Sequence, residues 1–158
     1  MPARLEPLSA ERFPAWRAQC VADYTADLVA TGLDAAEAGR QAEASLDGAF
    51  ATGGSTEENA VFDIVDETDA VAGYVWLGTD TSPDPTSWWV WDIAVDPAFR
   101  GRGLARRGMQ LAEEYARANG ATTLGLSVFG FNDTARGLYE SLGYETPSIK
   151  MRKALGDG

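Results

Sequence analysis

The chain has 158 residues, and its 24 acidic against 13 basic side chains give a formal net charge of −11. This length fits one domain with a continuous core, and the acidic balance argues against nucleic acid as a partner. Because the chain has one cysteine and no histidine, we expect no metal centre, and Ser-His-Asp and Cys-His mechanisms are excluded.

The sequence pattern predicts no targeting segment. No apolar stretch is long enough to span a membrane, and charged residues interrupt the apolar run that a signal peptide would need within residues 1–20. The lone Cys20 cannot form an internal disulfide, which favours a reducing compartment, and its place on a helical pattern favours a small buried side chain. We therefore expect a cytoplasmic protein without a membrane partner.

Hydrophobic periodicity and turn residues predict regular elements along most of the chain. In order, we expect a strand at 3–8, helices at about 9–31 and 34–50, strands at 60–65, 71–77 and 88–95, a helix at 104–118, a strand at 122–129, a helix at 132–142 and a strand at 144–152. The expected N-cap residues are Ser9, Asp34 and Asn132. The glycines expected to end helices are Gly32, Gly120 and Gly143. This order indicates the α/β class, with one mixed sheet between helices.

The segment from Trp91 to Ala105 carries the strongest functional signal. Its apolar strand ends in an Asp-Pro turn, and a loop with glycines at 101 and 103 then opens the helix predicted from residue 104. The first N–H groups of a helix lack internal partners and carry partial positive charge, and glycines let a ligand approach the backbone closely. Arginines crowd this helix start against the macrodipole, at positions 100, 102, 106 and 107. The cluster indicates a site for a small phosphate-bearing ligand.

Spacing narrows the type of phosphate ligand. The nucleotide P-loop requires a Gly-Lys pair, which the chain lacks, and the dinucleotide fingerprint requires a small residue where Arg106 stands. The loop instead resembles the acyl-coenzyme A loop of the GNAT family of N-acetyltransferases, through the pattern Arg-x-x-Gly-x-Ala at Arg100, Gly103 and Ala105. Taken alone, this short pattern is equally compatible with a glycine-rich turn that carries surface arginines.

A second segment strengthens the resemblance. The family's pattern Asn-x-x-Ala-x-x-Leu-Tyr-x-x-x-Gly-Phe/Tyr is similar to the residues Asn132, Ala135, Leu138, Tyr139, Gly143 and Tyr144. The resemblance implies a GNAT-like fold, in which a central mixed sheet flanked by helices on both faces splays beside strand 88–95. It also implies a single domain over 1–158, with variable substrate-side helices in 1–60 and an acyl-coenzyme A-binding core in 88–145.

The resemblance further implies acetyl-coenzyme A (acetyl-CoA) as the acetyl donor, bound without a metal. The cofactor would contact mainly backbone groups, in the strand end at Ile93, Ala94 and Val95 and in the loop and helix start at Arg100, Gly101, Arg102, Gly103, Leu104, Ala105 and Arg106. Asn132 would contact its pantetheine end, and Ala135 and Arg136 would lie towards its adenosine phosphate. The side chains of Ile93, Val95 and Ala135 are also expected to pack in the core.

Direct acyl transfer requires an acid for the leaving thiolate and a base for the amine. Tyr139 matches the family's general acid, although its place in an apolar stripe is also compatible with a core role. Ser127 stands where ribosomal-protein N-terminal acetyltransferases of the family carry a glutamate, which argues against that substrate class. Asp92, a carboxylate within an apolar strand, is the candidate base, directly or through water, and an ion pair with an arginine is the alternative interpretation.

Three functions follow as hypotheses. The first is acetylation of a primary amine on a small molecule, which the acidic surface would attract as a cation. The alternatives are acetylation of a protein or peptide amine, and a non-catalytic acyl-CoA sensor. A homodimer is left open. Four tryptophans are clustered in the sequence, at positions 76, 88, 89 and 91. Most of them are expected in the core, and one or two are expected to line a substrate pocket.

Overall fold

The computed structural model describes residues 2–56 and 58–156. The chain divides into two compact units, Met1–Leu126 and Ser127–Gly158. The larger unit contains, in chain order, β1 (Arg4–Pro7), α1 (Phe13–Ala30), α2 (Ala35–Ala49), β2 (Ala60–Val65), β3 (Val71–Thr79), β4 (Ser87–Val95), a short 3-10 turn (Pro97–Phe99), α3 (Leu104–Ala118) and β5 (Thr123–Leu126). The smaller unit contains α4 (Asp133–Ser141).

The larger unit is built on one sheet, whose described strands lie in the order β1-β2-β3-β4-β5. The first four strands pair antiparallel, each with the next along the chain. β5 lies parallel to β4 because the chain crosses over through α3 between them. The sheet is therefore mixed, as predicted.

Helices cover both faces of this sheet. Successive residues of a strand point to opposite faces, so β3 supplies side chains to two layers. On one face, α1 and α2 pack on Tyr74 and Trp76 of β3. On the other face, Tyr115 of α3 meets Phe62 of β2, with their ring centroids 4.8 Å apart. The predicted arrangement of one sheet between helices is confirmed.

Most helix ends follow the predicted capping chemistry. Asp34 accepts hydrogen bonds from the N–H groups of Ala36 and Glu37, at 3.1 and 3.3 Å. Asn132 caps α4 by accepting from the N–H of Ala135 at 3.2 Å. The expected cap at Ser9 is wrong, because its hydroxyl instead closes the turn before α1, which begins at Phe13.

Two predicted strands differ from the structure. β5 ends at Leu126, although its apolar pattern continues to residue 129, because its ladder with β4 ends there. No strand forms over the described residues 144–156, so the strand predicted at 144–152 is wrong. Ile149 and Met151 are 73% and 87% exposed. Apolar alternation favours a strand only when a neighbouring edge completes its hydrogen bonds.

Candidate active site

The loop between β4 and α3 presents bare backbone. Gly101 and Gly103 take left-handed conformations, with φ of 80° and 75°, and Gly103 is the N-cap residue of α3. Beyond the neighbouring residues in the chain, no heavy atom of the described residues lies within 4 Å of the position that a β-carbon would occupy on either glycine. The first backbone bond at the helix start joins the N–H of Arg107 to the carbonyl of Gly103, at 3.0 Å. The N–H groups of Leu104 and Ala105 therefore have no acceptor within the helix and can bind an anion.

Arg102 connects this loop to the turn between β2 and β3. Its guanidinium pairs with Asp66 at 3.2 Å and with Glu67 at 2.5 Å. Hydrogen bonds from Thr68, above all from its hydroxyl, lower the pKa of Asp66 to about 2, so this carboxylate is ionised throughout the neutral range. Because the side chain of Arg102 is already paired, its predicted contact with a phosphate would come from its backbone.

β4 is paired on both edges only in its first half. Its ladder with β5 runs from Ser87 to Val90, whereas its ladder with β3 continues to Val95. Within the larger unit, residues 91–95 therefore have a strand partner on one edge alone. This is the predicted splay, and it leaves strand peptide groups that a ligand could complete.

The side chains at this strand end pack inward, as expected. Ile93 lies against α3 beside Gly108, and Ala94 packs against the aromatic cluster under α1 and α2. Val95 packs beside Leu104, and its carbonyl accepts a hydrogen bond from Nε of Arg100 at 3.2 Å. Any contact of residues 93–95 with a cofactor would therefore use their backbone.

A β-bulge directs Asp92 towards α1. In the β3–β4 ladder, Trp76 lies opposite Asp92 and Leu77 lies opposite Val90, so Trp91 is an extra residue. An extra residue reverses the alternation of side chains along the rest of the strand. Asp92 consequently shares the face of Trp76, whereas regular alternation from Val90 would place it on the α3 face.

The Asp92 carboxylate receives two hydrogen bonds on one oxygen. The Tyr74 hydroxyl and the Cys20 thiol both donate to Oδ2, the latter with Sγ at 3.6 Å. Among the described residues of the larger unit no arginine or lysine pairs with Asp92, which contradicts the alternative of an ion pair with an arginine of that unit. Burial raises the pKa of Asp92, and the two donors oppose that rise. A carboxylate without a cation and with a raised pKa can act as a base.

Tyr74 and Cys20 are held as neutral donors. Burial is the main cause that raises the pKa of each, and the neighbouring carboxylate of Asp92 raises it further. Cys20 is 2% exposed, and a buried thiol that keeps its proton is not a nucleophile. The predicted burial of Cys20 is confirmed. The sequence alone does not predict the hydrogen bonds that Cys20 and Tyr74 donate to Asp92. The alternation of β3, which puts Tyr74 and Trp76 on one face, is the local signal that could have placed Tyr74 on the side of α1 and α2.

The clustered tryptophans divide between core and surface. Trp76 and Trp88 are buried, whereas Trp91, the bulged residue, is 38% exposed. The Trp91 ring contacts those of Trp76 and Trp89, at centroid distances of 6.3 and 6.1 Å. Trp91 therefore offers an aromatic surface next to Asp92 along the chain.

The remaining predicted site residues lie in the smaller unit. Asn132 uses its side-chain oxygen to cap α4, and Arg136 donates to the carbonyl of Gly130 at 3.5 Å. Tyr139 is half-buried on α4, where its ring meets that of Tyr144 edge-on at a centroid distance of 6.1 Å. The predicted roles of these residues, and of Ala135 on the same helix, stay predictions.

Two further properties concern the described part of the chain. None of its helices combines the length and the apolar character needed to cross a membrane. None of its acidic or cysteine side chains cluster in a group that could hold a metal ion.

Similar proteins identify the fold and the chemistry. A model of the GNAT acetyltransferase family matches residues 24–144. The uncharacterised N-acetyltransferase YdgE of Bacillus subtilis is 30% identical over 152 residues, which cover 96% of this chain and 97% of YdgE. The N-alpha-acetyltransferase RimI of Mycobacterium tuberculosis is 32% identical over 82 residues, 52% of this chain and 50% of RimI. The crystal structure of YycN from Bacillus subtilis has a TM-score of 0.89 at 23% identity, over 98% of this chain and 99% of that one. With this fold, a loop of open backbone amides and these relatives, the chain belongs to the GNAT family and is an acyltransferase.

Proposed function

We propose that this enzyme transfers an acetyl group from acetyl-CoA, by direct attack, to a primary amine on a small molecule. The observation that carries the proposal is the open start of α3. Two left-handed glycines and amides without an acceptor in the helix follow, after one 3-10 turn, a strand end that is paired on one edge. This is a continuous track of backbone donors and acceptors with a positive dipole at one end.

The chain's residues fit an acyl-CoA. The open space over Gly101 and Gly103 would be filled by a β-carbon, and the amides of Leu104 and Ala105 suit a pyrophosphate. The one-sided edge of residues 91–95 suits the amides of pantetheine. When bound, acetyl-CoA supplies a thioester carbonyl that an uncharged amine can attack.

Asp92 is the proposed proton acceptor. An amine is mostly protonated at neutral pH, so a base must remove its proton, directly or through water. Burial raises the pKa of Asp92 towards the range in which a carboxylate performs this task. Its bonds from two neutral donors hold Oδ2 without neutralising its charge.

Tyr139 is the proposed general acid. A phenol ordinarily keeps its proton at neutral pH and can give it to a leaving thiolate. The family membership supports this role, because Tyr139 stands at the tyrosine of the matching motif.

The acceptor is the least constrained part of the proposal. A net charge of −11 and the exposed Trp91 beside Asp92 favour a small cationic amine. The likeness to RimI over half of the chain favours acetylation of a protein α-amine as the second candidate. The serine at position 127 supports the small molecule over that candidate.

Binding and turnover test the proposal together. Acetyl-CoA at a hundred-fold excess over its Kd should stabilise the fold by about 2.7 kcal/mol in a thermal-shift assay. A panel of small di- and polyamines should be acetylated with a higher kcat/KM than a panel of peptides with free α-amines. No thermal shift with any short acyl-CoA would contradict the proposed cofactor, and faster acetylation of the peptides would favour the second candidate.

Tyr139→Phe tests the acid. The variant should lower kcat by roughly 10²-fold while leaving the Kd of acetyl-CoA unchanged, as expected for loss of one acid–base group. Tyr144→Phe is the matched control, because it removes a hydroxyl from the other ring of the same pair. A lower melting temperature with normal kcat in Tyr139→Phe would show that the residue packs in the core instead.

A further inference from the structure

The Asp92 carboxylate is held by donors from two different elements. Tyr74 lies on β3 and Cys20 on α1, and both bond the same oxygen. Both donors are buried, at 8% and 2% exposure. The ring of Tyr74 also packs edge-on against Trp16, with a centroid distance of 5.7 Å and an interplanar angle of 86°. Packing therefore restricts where the two donors can point.

Within the described part of the larger unit, the charges around Asp92 do not include a compensating cation. Burial is the main cause that raises the pKa of Asp92, and the negative charge of Asp23 on α1 raises it further. From β3 the Tyr74 hydroxyl, from α1 the Cys20 thiol and from β4 itself the N–H of Ile93 all lower that pKa. The hydrogen-bond donors are thus the groups that keep Asp92 available in its ionised form.

We propose that Tyr74 and Cys20 are positioning residues that orient the Asp92 carboxylate and keep it ionised at the working pH of the enzyme. They act through Asp92 and exchange no proton with the substrate, because each keeps its own proton. The inference rests on the proposed role of Asp92 as the base. It assigns to two neutral donors the task that an arginine performs in an ion pair.

Tyr74→Phe is the sharpest variant, because it keeps the ring that packs on Trp16 and removes only the donor. A hydrogen bond to a charged group lowers a carboxyl pKa by about one to two units, so its loss should raise the pKa of Asp92 by that amount. The acidic limb of the pH profile of kcat/KM should move to higher pH by the same amount. The deficit against the wild-type enzyme should therefore be tenfold or more at low pH and should shrink as the pH rises.

Cys20 gives a graded second test. Cys20→Ala removes the weaker thiol donor and should move the acidic limb in the same direction by less than Tyr74→Phe does. Cys20→Ser retains a donor and should restore the limb towards that of the wild-type enzyme. Tyr115→Phe, on the opposite face of the sheet, is the control and should leave the profile where it is.

Two readouts separate this inference from the proposed function. The carboxyl pKa of Asp92 is followed by carbon-13 NMR titration of the wild-type enzyme and each variant, independently of turnover. A carboxyl pKa and an acidic limb that rise together in Tyr74→Phe support the inference. A carboxyl pKa that does not change in the variants would show that Tyr74 and Cys20 do not keep Asp92 ionised, and it would not count against Asp92 as the base. A carboxyl pKa that rises while the limb stays in place overturns the inference because the base assignment itself has failed.

Discussion

Two regions of the larger unit present polar groups in opposite ways. The loop of residues 100–106 offers backbone amides from one short stretch of chain, and its shape depends on two left-handed glycines. The carboxylate cluster of Cys20, Tyr74 and Asp92 offers side chains from three elements, separated by up to 72 positions along the chain. The loop is suited to bind a charged group of fixed shape, and the cluster is suited to move a proton.

The difference teaches what each region can tolerate. Backbone donors survive changes of most side chains but fail when the backbone conformation is lost. A side-chain cluster keeps its backbone after substitution but loses its chemistry when one donor or acceptor is removed. Substitutions in the loop should therefore change binding, whereas substitutions in the cluster should change the pH dependence of turnover.

The largest effect should come from Gly103→Glu. A side chain at this φ of 75° is strained, and its carboxylate would oppose a phosphate at the helix start, so binding of acetyl-CoA should weaken at least about 100-fold. Isothermal titration calorimetry measures the change. Gly120→Glu is the matched control, because Gly120 ends the same helix with φ of 93° and open space around it. Equal loss of binding in both variants would show that strain alone is responsible and would break the contrast between the regions.

Asp92→Asn should have the next largest effect, confined to turnover. The amide keeps an oxygen that can accept from Tyr74 and Cys20 but cannot take a proton, so the acidic limb of kcat/KM should disappear and kcat/KM should fall roughly 10²-fold near neutral pH. Activity should partly recover at high pH, where the amine is already uncharged. Affinity for acetyl-CoA, measured by calorimetry, should stay unchanged. An unaltered acidic limb would exclude Asp92 as the base.

Asp92→Asn should also have a smaller effect on stability, which should favour the variant at high pH although its activity is lower. Because the pKa of Asp92 is raised in the folded state, its contribution to stability is complete below the ordinary pKa of an aspartate and is lost as the pH rises through the raised value. Asp92→Asn removes this loss, so its melting temperature relative to the wild-type enzyme should be higher at pH 8 than at pH 4. A large drop in melting temperature at pH 8 would instead indicate a buried cation left without its partner, against the contacts of the structure.

The smallest effect should come from the ion pairs that support the loop. The pKa of Asp66 is lowered to about 2, so its stabilising contribution is present above the ordinary value of 3.8 and is lost as the pH falls towards 2. Asp66→Asn should therefore reduce the fall in melting temperature that the wild-type enzyme shows between these two pH values.

Arg102→Ala, which removes a half-exposed partner, should weaken acetyl-CoA binding less than about fivefold. A loss as large as that of Gly103→Glu would show that Arg102 binds the phosphate with its side chain.

Local signals in the sequence were sufficient to predict the loop of residues 100–106 and most of the helices and strands. Periodicity and the glycines around position 103 place α3 at Leu104–Ala118, as the structure has it. The caps at Asp34 and Asn132 form as predicted. These features depend on residues within about four positions of one another, where hydrogen bonding and backbone conformation are decided by neighbouring side chains.

The tertiary structure alone decided the surroundings of Asp92 and the fate of the chain's last predicted strand. The bulge at Trp91 exists only in the register between β3 and β4, and it determines which face Asp92 occupies. The two donors to Asp92 come from 18 and 72 positions away, so the residues around Asp92 do not show whether its partner is a hydroxyl, a thiol or an arginine. Residues 144–152 carry a strand-like pattern, but a strand requires the hydrogen bonds of a neighbouring edge. Pairing partners and buried neighbours depend on contacts between segments far apart along the chain, and those contacts exist only once the chain has folded.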